Sequence, residues 1–202
     1  TDVAEGRASH DPAMLSSQIA TGEGFDWDYA TPSGRLAGLR TPITDGLGKP
    51  WTFRYKDIYS WWSNQHFERL GGVEQPIATN WQPQSKPIVF TEFGAPAINN
   101  GAAQPNVFYD PKSSESFIPY FSNGGRDDFA QAAYLEAHQK HWDRDHPDYV
   151  SGTNPSSQIT SEPMVDMARS QVWACDARPY PAFPARDDIW SDGANWYTGH
   201  WL

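Results

Sequence analysis

Two acids that close apolar runs are the residues best placed for chemistry. Glu92 stands near the end of "KPIVFTEFG" (residues 86–94), and Asp176 ends "SQVWACD" (170–176). Ile88-Val89-Phe90 has the continuous apolar character of a strand buried on both faces. Packing alone gives no reason to follow it with a carboxylate. One explanation is an ordinary strand end in water. The other is that Glu92 sits at the mouth of an α/β barrel, where the C-terminal ends of the strands carry the reacting groups.

Around these acids the chain is rich in rings. Ten tryptophans and nine tyrosines accompany 17 prolines and 16 glycines, a loop-rich composition. Large aromatics build cores first. Set in long loops beside Asp, Asn and His, they also suit a sugar cleft, because ring faces stack on the C–H side of a pyranose while carboxylates and amides bind its hydroxyls. The densest stretch is "WTFRYKDIYSWWSNQHF" (51–67). Trp61 and Trp62 there serve either as packing or as a sugar platform, and His66 is a candidate cleft residue.

Other chemistries find no support. A net charge of −10, with 15 Lys and Arg scattered along the chain, does not make a phosphate-binding surface, and no nucleic-acid partner is expected. Cys175 is the only cysteine; it excludes an internal disulfide and reads as a buried, inert thiol. His138, His141 and His146 lack an acid at ligand spacing and read as surface residues, so neither a metal nor a cofactor is expected. Phosphate loops, dinucleotide fingerprints and nucleophile elbows are missing. No apolar run approaches the roughly 20 residues of a membrane span, and no membrane contact is expected.

The elements that must position these residues read as follows. Asp11 and Pro12 open a helix over 11–20, with Met14, Leu15 and Ile19 on one face. "GEGFDWDYA" (22–30) alternates like a short strand, 33–40 suit a second short helix, and 51–55 suit a strand. A helix or ordered loop follows over 57–67, and 71–85 read as a loop leading to a strand at 87–92. A long loop covers 95–122. "RDDFAQAAYLEAHQKHW" (126–142) is the clearest helix, acidic in its first turn, with Phe129, Ala132, Ala133 and Leu135 as its buried stripe. After a loop at 144–163, the second apolar strand covers 170–176. Strand, helix, strand in this order implies a parallel sheet, and the whole chain reads as one domain, 1–202.

"KPIVFTEFGAPAINNGAAQPNVFYDPKSSES", with "RTPITDG", "FRYKD", "SNGGRDDF" and "VWACDARPYPAFP" in order, resembles the TIM-barrel-like glycoside-hydrolase domain of gene transfer agent and phage tail host-specificity proteins. The resemblance implies the C-terminal portion of a (β/α)8 barrel, its earlier strands lying upstream of Thr1. It implies Glu92 as the second catalytic carboxylate, at the end of the seventh strand. Trp173 would be an aromatic platform on the eighth, and Tyr55 a hydroxyl that holds the carboxylate. With Trp62, His66 and Asp176, these form the expected substrate-binding set. Retaining glycosidases use two carboxylates about 5–5.5 Å apart. Related barrels supply the acid/base from an Asn-Glu pair, and this chain has none. Asp26, Asp28, Asp57 and Asp176 are candidate partners, and the acid/base itself is expected upstream. The implied setting is the tail of a phage-like particle. The implied partners are a bacterial surface or cell-wall glycan, other tail proteins, and a second copy of the fragment.

Overall fold

The computed structural model describes residues 10–44, 48–107, 116–173, 181–190, 193, 194 and 197. The chain divides into two compact units. Unit 1 comprises Thr1–Ser16, Phe90–Lys140 and Arg169–Leu202; unit 2 comprises Ser17–Val89 and His141–Ala168.

Helices form where the sequence supplies caps. In α1 (Pro12–Ile19) the Asp11 carboxylate accepts the Ala13 amide at 2.9 Å, and Met14 and Leu15 are buried. In α2 (Pro32–Leu36) the Thr31 hydroxyl accepts the Gly34 amide. In α3 (Ile58–Ser63) the Asp57 carboxylate accepts the Ser60 amide at 3.1 Å. In α4 (Asp128–Trp142) it is Asp127 that accepts the Ala130 amide at 3.1 Å. Each bond satisfies one of the first-turn N–H groups that have no partner inside the helix. A short fifth helix, α5 (Ala182–Ala185), is kinked at Phe183.

The buried stripe of α4 differs from the expected one. Ala130, Ala133, Ala137 and His141 face inward at spacings of three and four, whereas Phe129 is 79 % exposed and Ala132 points to solvent.

Strands are short. β1 (Trp27–Asp28) pairs antiparallel with β2 (Thr41–Pro42), and β3 (Phe67–Leu70) pairs antiparallel with β4 (Val73–Ala78). Among the described residues these are the two sheets, each two-stranded, and no closed barrel is formed. The strand expected over 51–55 is a 3-10 turn at Pro50–Phe53. The loop expected from residue 71 includes a hairpin strand instead: Gly71 and Gly72 both take positive φ (58° and 83°), as the two-residue turn that joins twisted strands requires. Pro76, which has no N–H to give, falls where the β3–β4 register shifts.

The two apolar runs at 87–92 and 170–176 are not continuous ladder strands. Parallel pairing survives at single points: Ile88 bridges Val165 in unit 2, and Phe93 bridges Val172 in unit 1. Ile88, Val89 and Phe90 are half-buried rather than enclosed.

Each unit has its own core. Unit 1 buries Met14, Leu15, Ile98, Val107 and the α4 residues Ala130, Ala133 and Ala137, and unit 2 buries Trp62, Trp142, Met164 and Val165. A buried amide organises the second. The Asn154 side chain donates to the carbonyls of Trp142 (2.6 Å) and Val165 (2.8 Å) and accepts the Val165 amide (2.8 Å). Such a satisfied amide fixes the end of a helix against a neighbouring segment.

Candidate functional site

Glu92 owes its position to one extra residue. Gln171 donates its amide to the Phe90 carbonyl (2.8 Å) and accepts the Phe93 amide (3.1 Å). In a regular parallel ladder one residue separates the two partners of such a donor–acceptor pair; here Thr91 and Glu92 occupy the place of one. The result is a bulge, the local device that re-aims a side chain next to a functional site. A side-chain bond accompanies it, as the Phe90 amide goes to the Ser170 hydroxyl at 3.1 Å. Thr91 and Glu92 are both exposed. Among the described residues the Glu92 carboxylate has no hydrogen bond or ion pair.

Regular pairing resumes past the bulge. The Trp173 amide donates to the Phe93 carbonyl at 2.9 Å. Gly94 follows because there is no room for more: a Cβ at this position would lie 2.4 Å from the Trp173 carbonyl oxygen. Trp173 and Glu92 thereby line one cleft of about 350 Å³ in unit 1, together with Phe93, Pro105, Asn106 and Tyr134. Trp173 is 43 % exposed.

α4 supplies the wall opposite the loop. The Gln131 side-chain amide donates to the Ala95 carbonyl at 2.8 Å, which ties the helix to the segment just after Gly94. One turn further on, Tyr134 packs on His138 (ring centroids 4.6 Å), and His138 on Phe93 (5.5 Å). Burial pushes the Tyr134 phenol up to about 12, so near neutral pH it is a protonated donor. The cleft therefore offers a carboxylate, a phenol, a side-chain amide and an indole. Asn106 and Tyr134 were not among the sequence candidates. Tyr134 is masked in the sequence by the apolar pattern of its own helix.

The remaining candidates fall elsewhere. Tyr55 and His66 line a larger cleft, about 750 Å³, within unit 2. Tyr55 is 74 % exposed, yet its hydroxyl end rests on Gly24, where an added Cβ would meet Tyr55 Cε1 and Oη at 2.1 and 2.3 Å. Local burial, then the carboxylates of Glu23 and Asp28, raise its phenol pKa, against an opposing effect of Arg35. His66 Nε2 lies 2.7 Å from the Trp61 carbonyl, and the ring stacks on Trp81 at 5.2 Å and 9°. Trp62 is 1 % exposed and donates its indole N–H to the Lys86 carbonyl at 2.7 Å. That makes it a core residue of unit 2, and its neighbour Trp61, 45 % exposed, is the ring of the pair that faces solvent. Asp176 and Cys175 lie outside the described residues.

The other acids serve the backbone. Asp57 caps α3; Asp26 accepts the Gly22 amide at 3.0 Å, and Asp28 accepts that of Tyr29 at 2.7 Å. Of the three histidines expected at the surface, His141 is buried and His138 and His146 are half-buried. His141 is 6 % exposed and His138 sits in the aromatic cluster above, while His146 accepts the Asp148 amide at 3.1 Å. No cluster of His, Cys, Asp or Glu that could hold a metal ion occurs among the described residues. None of their helices is long and apolar enough to cross a membrane.

The family described as the GTA TIM-barrel-like domain matches residues 1–184. The chain belongs to that family, which makes it a gene-transfer-agent, phage-related module. No curated protein sequence matches it.

Proposed function

We propose that this chain is the glycan-facing, C-terminal portion of a (β/α)8 glycoside-hydrolase-like module in the tail of a phage-like particle, acting on a surface or cell-wall glycan of the bacterial host. The observation that carries the reading is the shared cleft of Glu92 and Trp173. The indole gives a sugar ring a face to stack on, the bulge presents a carboxylate toward the anomeric carbon, and Tyr134 and Asn106 supply donors for ring hydroxyls. Glu92 attacks as the nucleophile, and an acid/base from outside the described residues protonates the leaving oxygen. The glycosyl–Glu92 ester is then hydrolysed by water that the same acid/base activates. Other tail proteins hold the module in place.

A mechanism-based test fits this chemistry. A 2-fluoro glycosyl donor slows the second step of a retaining enzyme, so the full-length protein should gain the mass of one sugar on the peptide that contains Glu92. Labelling elsewhere, or none across a panel of hexosyl and N-acetylhexosaminyl donors, counts against a nucleophilic Glu92.

One observation favours a second reading. Of the described residues lining the cleft, Glu92 is the one carboxylate. If no second acid from elsewhere reaches this cleft, it grips glycan and does not cut, and the module then serves adhesion or tail structure.

A further inference from the structure

The larger cleft, in unit 2, is lined by none of the residues that line the Glu92 cleft. Its walls come from the 3-10 turn Pro50–Phe53, the start of α3 and the β3–β4 hairpin. The aromatic packing behind it is continuous: Trp51 lies 5.7 Å from His66, His66 4.6 Å from Trp61, and Trp61 5.3 Å from Trp81. These tilted contacts pack Trp61 against His66 and Trp81 while 45 % of that residue stays exposed. Tyr55 forms a second exposed aromatic wall.

The charges in the cleft balance in number, and two of its three cations are paired, while Arg54 makes no ion pair among the described residues and its buried Nε has no partner. Glu74 accepts from Lys49 at 2.5 Å and from Arg69 at 3.2 Å. Lys49 also covers the Phe67 ring at 3.9 Å, and Arg69 lies over Phe53 at 5.5 Å. Lys49, Arg54 and Arg69 face Asp57, Glu68 and Glu74, three cations against three acids. A lining with no net charge, whose lysine and hairpin arginine share one carboxylate, is a poor match for phosphate or for a uronate chain. Exposed ring faces beside a rim of polar groups match a ligand with an apolar face and hydroxyl edges. We propose that this cleft is a second, non-catalytic binding site for a neutral oligosaccharide, with Trp61 and Tyr55 as its stacking surfaces. It shares the carbohydrate class of the reading above but none of its residues.

Its test can be kept apart from that of the Glu92 cleft. The full-length protein, labelled with 15N at tryptophan, is titrated with neutral tetrasaccharides of glucose, galactose and N-acetylglucosamine, with tetragalacturonate, and with adenosine monophosphate. The indole N–H signal of Trp61 reports on this cleft, and that of Trp173 on the other. The Trp61 signal should move with at least one neutral tetrasaccharide and stay still with the uronate and the nucleotide. Trp61→Ala and Tyr55→Ala should each weaken that binding about tenfold or more, as removal of a central aromatic contact does. Tyr55 is largely exposed, so its variant keeps the test usable if Trp61→Ala does not fold. A Trp61 signal that ignores every neutral sugar, or that prefers the uronate or the nucleotide, overturns the proposal. So does undiminished binding in Tyr55→Ala. None of these outcomes bears on Glu92.

Discussion

The amide of Trp173 donates to the carbonyl of Phe93 at 2.9 Å, and that bond sets an exposed indole beside the residue that precedes Phe93, Glu92. The two side chains come from distant parts of the sequence, and one backbone bond just past a bulge brings them to a common cleft. The site is thus built by backbone geometry rather than by contact between the functional groups.

Gly94 guards this arrangement. Replacing it with alanine places a methyl group 2.4 Å from the Trp173 carbonyl oxygen, and the backbone must move to relieve the clash. Gly94→Ala should lower stability by about 1–3 kcal/mol and shift the emission of Trp173. A variant with unchanged unfolding and unchanged fluorescence would show that the Phe93–Trp173 bond is not where it is described.

The two tryptophans expected in the site should respond in opposite ways. Trp173 is exposed and Trp62 is enclosed. Trp173→Ala should change stability by about 0.5 kcal/mol or less and weaken glycan binding. Trp62→Ala should cost about 3–5 kcal/mol, because it opens a cavity and strips the Lys86 carbonyl of its donor. Urea unfolding beside a binding titration separates the two, and a large loss in Trp173→Ala would make that residue packing.

Tyr134 gives the unit a signature in alkali. The unfolded phenol releases its proton near pH 10, whereas burial holds the folded one to about 12. Below pH 10 both states are protonated and the contribution of Tyr134 to stability is complete. Between 10 and 12 the unfolded chain binds fewer protons than the folded one, so stability falls as pH rises. Tyr134→Phe should flatten this part of the profile relative to the parent protein. Identical slopes would mean that the phenol is not buried.

Helices were the legible part of the fold. Asp11 and the acids at 127 and 128 sit at the starts of α1 and α4, where a local signal is enough, whereas the Thr31 and Asp57 caps emerge only from the structure. Strands were not, because their partners are remote: nothing in Ile88-Val89-Phe90 announces that Ser170 will take the Phe90 amide with its hydroxyl, or that Gln171 will span Thr91 and Glu92 together. The hairpin escapes a reading of the sequence for a different reason. Two glycines in a row read as loop, and only their shared positive φ makes them a turn. Within the aromatic segment the density of rings was evident, but Trp61 and Trp62 are about 100° apart around a helix, and the direction of α3 decided which one was buried. The same difficulty hid Tyr134. Its helix was recognised, while the face it turns to the cleft depends on alanines that carry little hydrophobic signal.

The central claim is that Glu92 performs chemistry on a sugar, and the most direct measurement is the release of reducing ends from host cell-wall and surface glycan by the full-length protein and its Glu92→Gln variant. The side chains are nearly isosteric and Glu92 has no partner among the described residues, so the variant should fold and bind as the parent does. Cleavage should fall by roughly three orders of magnitude or more in Glu92→Gln, with binding retained. If the parent protein binds glycan and releases no ends, or if Glu92→Gln cleaves as fast as the parent, the claim is contradicted.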